Sequence, residues 1–111
     1  MTNSYIEQTG TANPFNGINA GYNSTPTFAD LDGDSDRDAL IGGQNGTLKY
    51  YQNTGSGSNP VYTEQTGTAN PFNGINVGTY SAPTLADLDA DGDLDALIGE
   101  YGGVLNLWKR V

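Results

Sequence analysis

Short runs of apolar and β-favouring residues, each bounded by polar turn residues, recur along the chain. The first four occupy residues 27–29, 39–41, 47–52 and 61–64. No run places apolar residues at i, i+3, i+4 and i+7 over three turns, so we predict no helix. Asn45-Gly46 lies between the second and third runs and predicts a two-residue type I′ turn, because both residues accept positive φ. The pattern therefore predicts an all-β chain of short strands.

The chain also contains an internal repeat with a shift of 57 residues. The segment EQTGTANPFNGIN spans residues 7–19 and occurs unchanged at 64–76, and roughly 31 of about 50 residues paired at this shift are identical. A repeat of this length is typical of propeller blades, each a meander of four short strands. We therefore expect repeat 1 at about 5–61 and repeat 2 at about 62–111, and a chain of two β-propeller blades that are four-stranded antiparallel meanders. The alternative is a small β-sandwich made of two hairpin pairs.

Composition and charge exclude several classes of function. The chain has a formal net charge of −9, only four basic residues, and neither cysteine nor histidine. Disulfides, zinc sites built from cysteine or histidine, and catalysis by imidazole are therefore excluded. Nucleic acid and anionic membrane surfaces are not expected partners, because both require basic residues. Membrane insertion is not expected, since no apolar run approaches the roughly 20 residues that span a bilayer. The first ten residues lack the basic and apolar regions of a signal peptide.

The acidic residues are concentrated in two short runs. Ten of the thirteen carboxylates are aspartates at positions 1, 3, 5, 7 and 9 of residues 30–38 and 87–95. Carboxylates crowded in this way repel one another unless a cation lies between them. Ca²⁺ prefers six to eight oxygen ligands, whereas Mg²⁺ usually keeps its waters. The predicted ligands of two calcium ions per chain are Asp30, Asp32, Asp34, Asp36, Asp38, Asp87, Asp89, Asp91, Asp93 and Asp95. The alternative is a solvated acidic turn without metal.

These runs differ from EF-hand loops. An EF-hand needs a glutamate at position 12 and flanking helices. Ile41 and Ile98 occupy position 12 here, and both runs lie between predicted strands. Gly33, Ser35 and Gly92 permit a tight turn of the backbone. We therefore expect a calcium loop that joins two β-strands.

The two acidic runs and their flanks resemble FG-GAP/VCBS repeats, the calcium-binding blades of integrin-α-like propellers. The resemblance covers STPTFADLDGDSDRDALIGG at 24–43 and SAPTLADLDADGDLDALIGE at 81–100. The GAP element corresponds to residues 24–26 and 81–83, and the FG element, with its phenylalanine replaced, to 20–21 and 77–78.

This resemblance implies a role for each acidic position and an order for the strands. Side chains at positions 1, 3, 5 and 9 bind the ion, and Asp36 or Asp93 at position 7 contributes its main-chain carbonyl. The strand before the calcium loop is the innermost of its blade, and the strand at 61–64 is the outermost. The calcium loops then lie on one face of the disc and the NPFNGIN segments on the other.

The strand order predicts an unequal division into blades. Residues 5–7 are equivalent to the start of an outermost strand, whereas the second blade has only three strands of its own. We expect blade 1 at about 24–66, and blade 2 at about 81–111 completed by residues 4–9 of a neighbouring chain. This exchange of an N-terminal outer strand would close a head-to-tail ring, because closure removes unpaired edges. A homo-trimer would have six blades and a homo-tetramer eight, whereas a four-bladed dimer would be tight. The alternative is a fragment of a longer chain.

Calcium in such a ring is expected to be structural, and no group of residues suggests catalysis. We therefore expect a scaffold or binding module that is not an enzyme, placed outside cells by family analogy. An alternative is a lectin that binds glycans through the repeated NPFNG loops, with the candidate ligand-binding residues Asn13, Phe15, Asn16, Asn70, Phe72 and Asn73. In the competing interpretation, Phe15 and Phe72 only wedge between blades. A polysaccharide-processing enzyme is a third, less favoured alternative.

Overall fold

The computed structural model describes residues 5–110, which form seven strands in two antiparallel sheets. The strands of the first sheet are β1 (Thr25–Ala29), β2 (Asp38–Gly42), β3 (Leu48–Asn53) and β4 (Tyr62–Gln65). The strands of the second sheet are β5 (Ala82–Ala86), β6 (Asp95–Gly99) and β7 (Leu105–Trp108). Residue 4 of the predicted exchanged strand and residue 111 of the predicted second blade lie outside the described residues.

Both sheets are simple meanders that follow the sequence repeat. The first has the order β1-β2-β3-β4 and the second the order β5-β6-β7. Thr25 pairs with Gly42, and 57 residues later Ala82 pairs with Gly99, so the register is conserved between the sheets. Strands β1 to β4 thus form one sheet, not the two hairpin pairs of a sandwich.

Helical structure in the described residues is limited to two short 3-10 turns, Gly10–Ala12 and Gly67–Ala69. These turns immediately precede the two NPFNGIN segments and were not predicted from the sequence. No helix between residues 5 and 110 is long and apolar enough to cross a membrane.

The prediction of a type I′ turn at Asn45-Gly46 was wrong. The Gly46 N–H donates to the Gly43 carbonyl at 3.1 Å, so the central residues of the turn are Gln44 and Asn45. Neither has positive φ, whereas Gly46 has φ of 76°. The connection is therefore of the kind that closes with a left-handed glycine after the turn. Its copy in the second sheet ends in the same way at Gly103.

The first sheet is covered by apolar side chains on both faces, because alternate residues of a strand point to opposite sides. Ala39, Ile41 and Tyr51 form a cluster with Phe15 and Ile18 on one face. The other face carries a second cluster whose buried members are Leu31, Leu40, Leu48, Tyr50, Ala96 and Ile98. This second cluster joins the two sheets, and Phe72 and Ile75 of the second NPFNGIN segment pack against it.

Hydrogen bonds fix the two sheets together along their inner edges. Ser81 is fully buried, and its hydroxyl donates to the Thr47 carbonyl at 2.8 Å. The Thr25 hydroxyl donates in turn to the Ser81 carbonyl at 2.6 Å. A Cβ on Gly42 would overlap that same carbonyl oxygen. The absence of a side chain at Gly42 is therefore required for the two backbones to approach this closely.

Candidate metal centres

Each sheet carries one aspartate cluster in the loop between its first and second strands. The carboxylate oxygens of Asp30, Asp32, Asp34 and Asp38 can all lie within 4.8 Å of one another, and the same holds for Asp87, Asp89, Asp91 and Asp95. These are positions 1, 3, 5 and 9 of the two acidic runs. The structure therefore brings together eight of the ten predicted ligands, four in each loop.

The first aspartate of each run organises the loop backbone. The Asp30 carboxylate accepts hydrogen bonds from the N–H groups of Gly33 and Ser35 at 2.9 and 2.8 Å. The Asp87 carboxylate similarly accepts from Asp91 and Gly92 at 3.1 and 2.9 Å. These bonds turn the loop back on itself, so that successive aspartates converge instead of extending into solvent.

Two residues in each loop take the left-handed conformation that this turn requires. In the first loop they are Gly33 and Ser35, with φ of 80° and 74°. In the second loop they are Ala90 and Gly92, with φ of 61° and 90°. Each loop therefore has one glycine and one non-glycine residue in left-handed backbone, at swapped positions.

The ninth position anchors each cluster to the sheet. Asp38 opens β2, is completely buried, and accepts hydrogen bonds from the N–H groups of Leu31 and Asn53 at 3.0 and 2.9 Å. Asp95 does the same with Leu88 and Arg110 at 3.1 and 3.2 Å. Burial raises the pKa of Asp38, because the charged carboxylate loses hydration. A cation beside the cluster would offset that cost.

Asp36 and Asp93 at position 7 lie outside the two carboxylate clusters. The Asp36 N–H donates to the Asp34 carboxylate at 2.9 Å, and Asp93 donates to Asp91 at 3.0 Å. Their main chains are thus placed beside the clusters while their side chains are not part of them. A ligand role for either residue through its carbonyl remains a prediction.

The donor chemistry of both clusters fits a hard divalent cation. Each offers four carboxylates, a set that suits Ca²⁺ better than metals that prefer nitrogen or sulfur. Calcium bound there would supply positive charge that holds the loop between the first two strands closed. The aspartates would hold the ion, and the buried ninth residue would fix it to the sheet.

The sequence interpretation missed Gln52 and Lys109, which are 57 residues apart and reach the two clusters. Gln52 Nε2 donates to the Asp32 carboxylate at 2.5 Å. Lys109 Nζ lies 2.7 Å from an Asp89 oxygen and 3.8 Å from an Asp91 oxygen. The hydrogen bond from Lys109 lowers the pKa of Asp89. The two residues occupy equivalent positions of the repeat, at the end of the third strand of each sheet. That equivalence is the sequence feature from which a shared contact with the aspartate loops could have been predicted.

The NPFNG residues are placed mostly within the fold. Asn70 is 9% exposed, and its amide donates to the Leu48 carbonyl of the first sheet at 3.0 Å. Phe15 stacks on Tyr62 with ring centroids 4.3 Å apart, and Phe72 packs against the cluster between the sheets. Asn13 accepts a hydrogen bond from the Phe15 N–H at 2.9 Å. Asn16 and Asn73 are exposed.

Comparison with known proteins gives one family. The model of the FG-GAP-like repeat matches residues 30–98, which include both aspartate clusters. Neither a curated protein nor a solved structure matches the chain. Since the family model covers more than half of the 111 residues, the chain belongs to the FG-GAP-like repeat family.

Proposed function

We propose that this chain is a calcium-stabilised β-propeller module that assembles head to tail with copies of itself into a closed ring and acts as a scaffold, not as an enzyme. Membership of the FG-GAP-like repeat family and the two four-aspartate clusters support the calcium part. Three or four copies with two blades each would give six or eight blades, and residues 4–9 would complete the second blade of a neighbour. By family analogy the module would work outside cells.

The assembly part rests on a single observation: the surfaces that join the two sheets recur, exposed, at the two ends of the chain's structure. Leu31, Leu48 and Tyr50 are between 4% and 8% exposed in the inter-sheet contact. Their equivalents on the outer face of the second sheet are Leu88, Leu105 and Leu107, which are 56%, 67% and 60% exposed. Apolar side chains grouped in this way mark an interaction surface.

The complementary surface is open on the opposite side of the first sheet. A cavity of about 240 Å³ lies there, with Phe15, Ile18, Pro26 and Phe28 among its lining residues. The equivalent positions in the second repeat, including Phe72 and Ile75, face the first sheet in the inter-sheet contact.

A second pair of equivalent residues supports the proposal that these two surfaces contact each other in the assembly. Ser81 is buried between the sheets, whereas its equivalent Ser24 is exposed. Each end of the chain's structure is therefore a copy of one side of the internal contact between the two sheets. A contact between two different surfaces of this kind is heterologous and generates a ring when its rotation closes.

The scaffold part rests on where the carboxylates lie. Ten of the thirteen acidic side chains belong to the two metal loops. Of the others, Glu7 and Glu64 are exposed, and Glu100 accepts the Val104 N–H at 2.7 Å. None of these three is paired with a nucleophile among the hydrogen bonds of residues 5–110. A role in presenting loops on a rigid ring fits this distribution better than catalysis.

The proposal is tested by light scattering of the purified chain after size-exclusion chromatography, in calcium and after EDTA. We expect a trimer or tetramer in calcium that dissociates or unfolds when the ion is removed. A monomer that is indifferent to EDTA at micromolar concentrations would overturn both the assembly and the calcium part.

Gly99 gives a sharper variant for the same experiment. A Cβ on Gly99 would have only the Leu105 side chain near it, at 3.7 Å, which is an ordinary contact. At its equivalent, Gly42, a Cβ would overlap the Ser81 carbonyl of the adjoining sheet. Gly99→Ala should therefore leave the dilute chain folded, checked by circular dichroism, but abolish assembly. If Gly99→Ala assembled like the unaltered chain, the neighbour would not dock as the second sheet docks on the first.

A further inference from the structure

The first sheet holds an aromatic stack that uses its fourth strand. Tyr62 of β4 stacks on Phe15 at 4.3 Å with an interplanar angle of 22°, and its centroid lies 6.4 Å from that of Phe28. The Tyr62 hydroxyl donates to the Arg37 carbonyl at 3.3 Å. Burial raises the pKa of Tyr62. This tyrosine therefore closes the gap between the NPFNG segment and the sheet.

The second sheet has a cavity at the equivalent place. Its volume is about 270 Å³, and its lining residues include Phe72, Leu94, Ala96 and Trp108. At the 57-residue shift these are the equivalents of Phe15, Arg37, Ala39 and Tyr51. Those four residues surround Tyr62 through the stack, the hydroxyl contact and the apolar cluster. In the second sheet this space, called the tyrosine socket below, is lined at the equivalent positions, with identical residues at two of the four.

We propose that Tyr5 of a second copy of the chain fills this socket, while its residues 5–8 pair with the free side of β7 and of the two residues that follow it. This inference rests on the proposed head-to-tail assembly, and it adds the side chain and the strand pairing that would stabilise the contact between two copies. Tyr5, Glu7 and Gln8 are identical to their equivalents in β4, Tyr62, Glu64 and Gln65. Tyr5 is fully exposed, and no described residue pairs with β7 on its outer side.

The pairing register follows from the first sheet. There Asn53 pairs with Tyr62, Gln52 with Thr63 and Tyr51 with Glu64. The corresponding pairs between copies are Arg110 with Tyr5, Lys109 with Ile6, and Trp108 with Glu7. Glu7 would then lie diagonal to Arg110, an arrangement in which opposite charges across strands attract.

A second copy is the favoured source of the strand. The segment that follows Tyr5 leads to Phe15 and Ile18, which pack on the first sheet. They cover the face turned away from the second sheet, since the opposite face carries the cluster shared by both sheets. The segment that follows Tyr5 is therefore anchored on the side of the first sheet away from the second sheet, which carries the socket, as a head-to-tail contact requires.

Single-cysteine variants test the strand contact, because the chain has no cysteine of its own. Ile6→Cys and Lys109→Cys chains, mixed in calcium under mild oxidation, should form a disulfide-linked heterodimer on non-reducing gels. Directly opposed strand residues bring Cα atoms within the 4.4–6.8 Å that a disulfide needs. Glu7→Cys mixed with Lys109→Cys is the control and should cross-link far less, since neighbouring residues point to opposite faces.

Tyr5→Ala tests the socket. Loss of a buried aromatic ring at an interface commonly weakens association by about tenfold or more, whereas the exposed Ile6→Ala should change it little. If light scattering still finds the ring but the matched cysteines fail to cross-link and Tyr5→Ala assembles normally, this inference is overturned and the face-to-face assembly stands. A chain that stays monomeric overturns both.

Discussion

The two aspartate loops carry the same five acidic residues, but they are contacted by different residues, Gln52 and Lys109, from equivalent positions of the repeat. The Lys109 ammonium lies 2.7 Å from Asp89, one of the carboxylates that would hold a cation, whereas Gln52 brings no charge to Asp32. We expect Lys109→Gln to strengthen cation binding at the second loop and Gln52→Lys to weaken it at the first. The change should be about two- to fivefold, since the lysine is half exposed and its ion pair is screened.

The measurement is a calcium titration followed by the backbone amide signals of each loop in nuclear magnetic resonance spectra. Lys49→Gln is a matched control, because Lys49 contacts the Asn19 carbonyl and neither loop. If the calcium affinities of the two loops were equal in the unaltered chain and unchanged by Lys109→Gln and Gln52→Lys, Lys109 would not weaken cation binding at the second loop.

Left-handed backbone gives a second test at the scale of single residues. Gly33 has φ of 80°, so Gly33→Ala should lower the free energy of unfolding by about 1–2 kcal/mol. Its equivalent Ala90 has φ of 61°, so Ala90→Gly should raise it by about 1 kcal/mol at most, because glycine also gains freedom in the unfolded chain. Urea denaturation of both variants under the same conditions measures the two changes. Shifts of the same sign would be inconsistent with this loop geometry.

Among the elements, the joint between the two sheets depends on a glycine. A Cβ at Gly42 would overlap the Ser81 carbonyl, and the buried backbone there has little room to move. Gly42→Ala should therefore destabilise the chain by about 1–3 kcal/mol, as overpacking in a core does. Gly99→Ala, at the equivalent position of the second sheet, should leave the free energy of unfolding of the dilute chain nearly unchanged. Thermal denaturation at low protein concentration compares the two, and equal losses would mean that the contact at Gly42 is not a close one.

The strands themselves were predictable from sequence, because alternation and the repeat are both local signals. Each strand of the first sheet begins or ends within two residues of a predicted run. The position of the turn near Asn45-Gly46 was predicted correctly, but its type was not. The 3-10 turns and the buried amide of Asn70 were missed, because Asn70 bonds to Leu48, 22 residues away, and no local pattern records that partner.

In the aspartate clusters, too, the local features were predictable from sequence and the contacts with distant residues were not. The spacing of acids predicted that carboxylates would converge, and the convergence at positions 1, 3, 5 and 9 agrees with the expectation from the family. The contacts of Lys109 and Gln52 were not predicted, since the alternation of acids says nothing about which distant strand passes the loop. The repeat does allow such a contact to be predicted, because a contact observed in one sheet predicts the contact between the equivalent residues of the other sheet.

At the scale of the whole molecule, the net charge of −9 and the grouping of ten aspartates oppose folding without cations. The clusters exist only in the folded chain, so an ion that binds them stabilises it by mass action. At a calcium concentration of about 100 times the dissociation constant, each site would add about 2.7 kcal/mol to the free energy of unfolding. We therefore expect calcium to raise the midpoint of thermal unfolding strongly. Sodium chloride matched in ionic strength should raise it far less, because it only screens the repulsion.

Asp34→Asn together with Asp91→Asn separates ion binding from simple charge repulsion. The asparagine side-chain oxygen can still accept the N–H of Asp36 or Asp93, so the loop backbone keeps these bonds. In EDTA this variant should be as stable as the unaltered chain or more so, since each cluster has lost one negative charge. In calcium it should be less stable, because each site has lost a charged ligand. This reversal of order between the two conditions is the expected signature in calorimetry. If the variant were more stable in both, the aspartates would not be calcium ligands but an acidic surface that the fold tolerates.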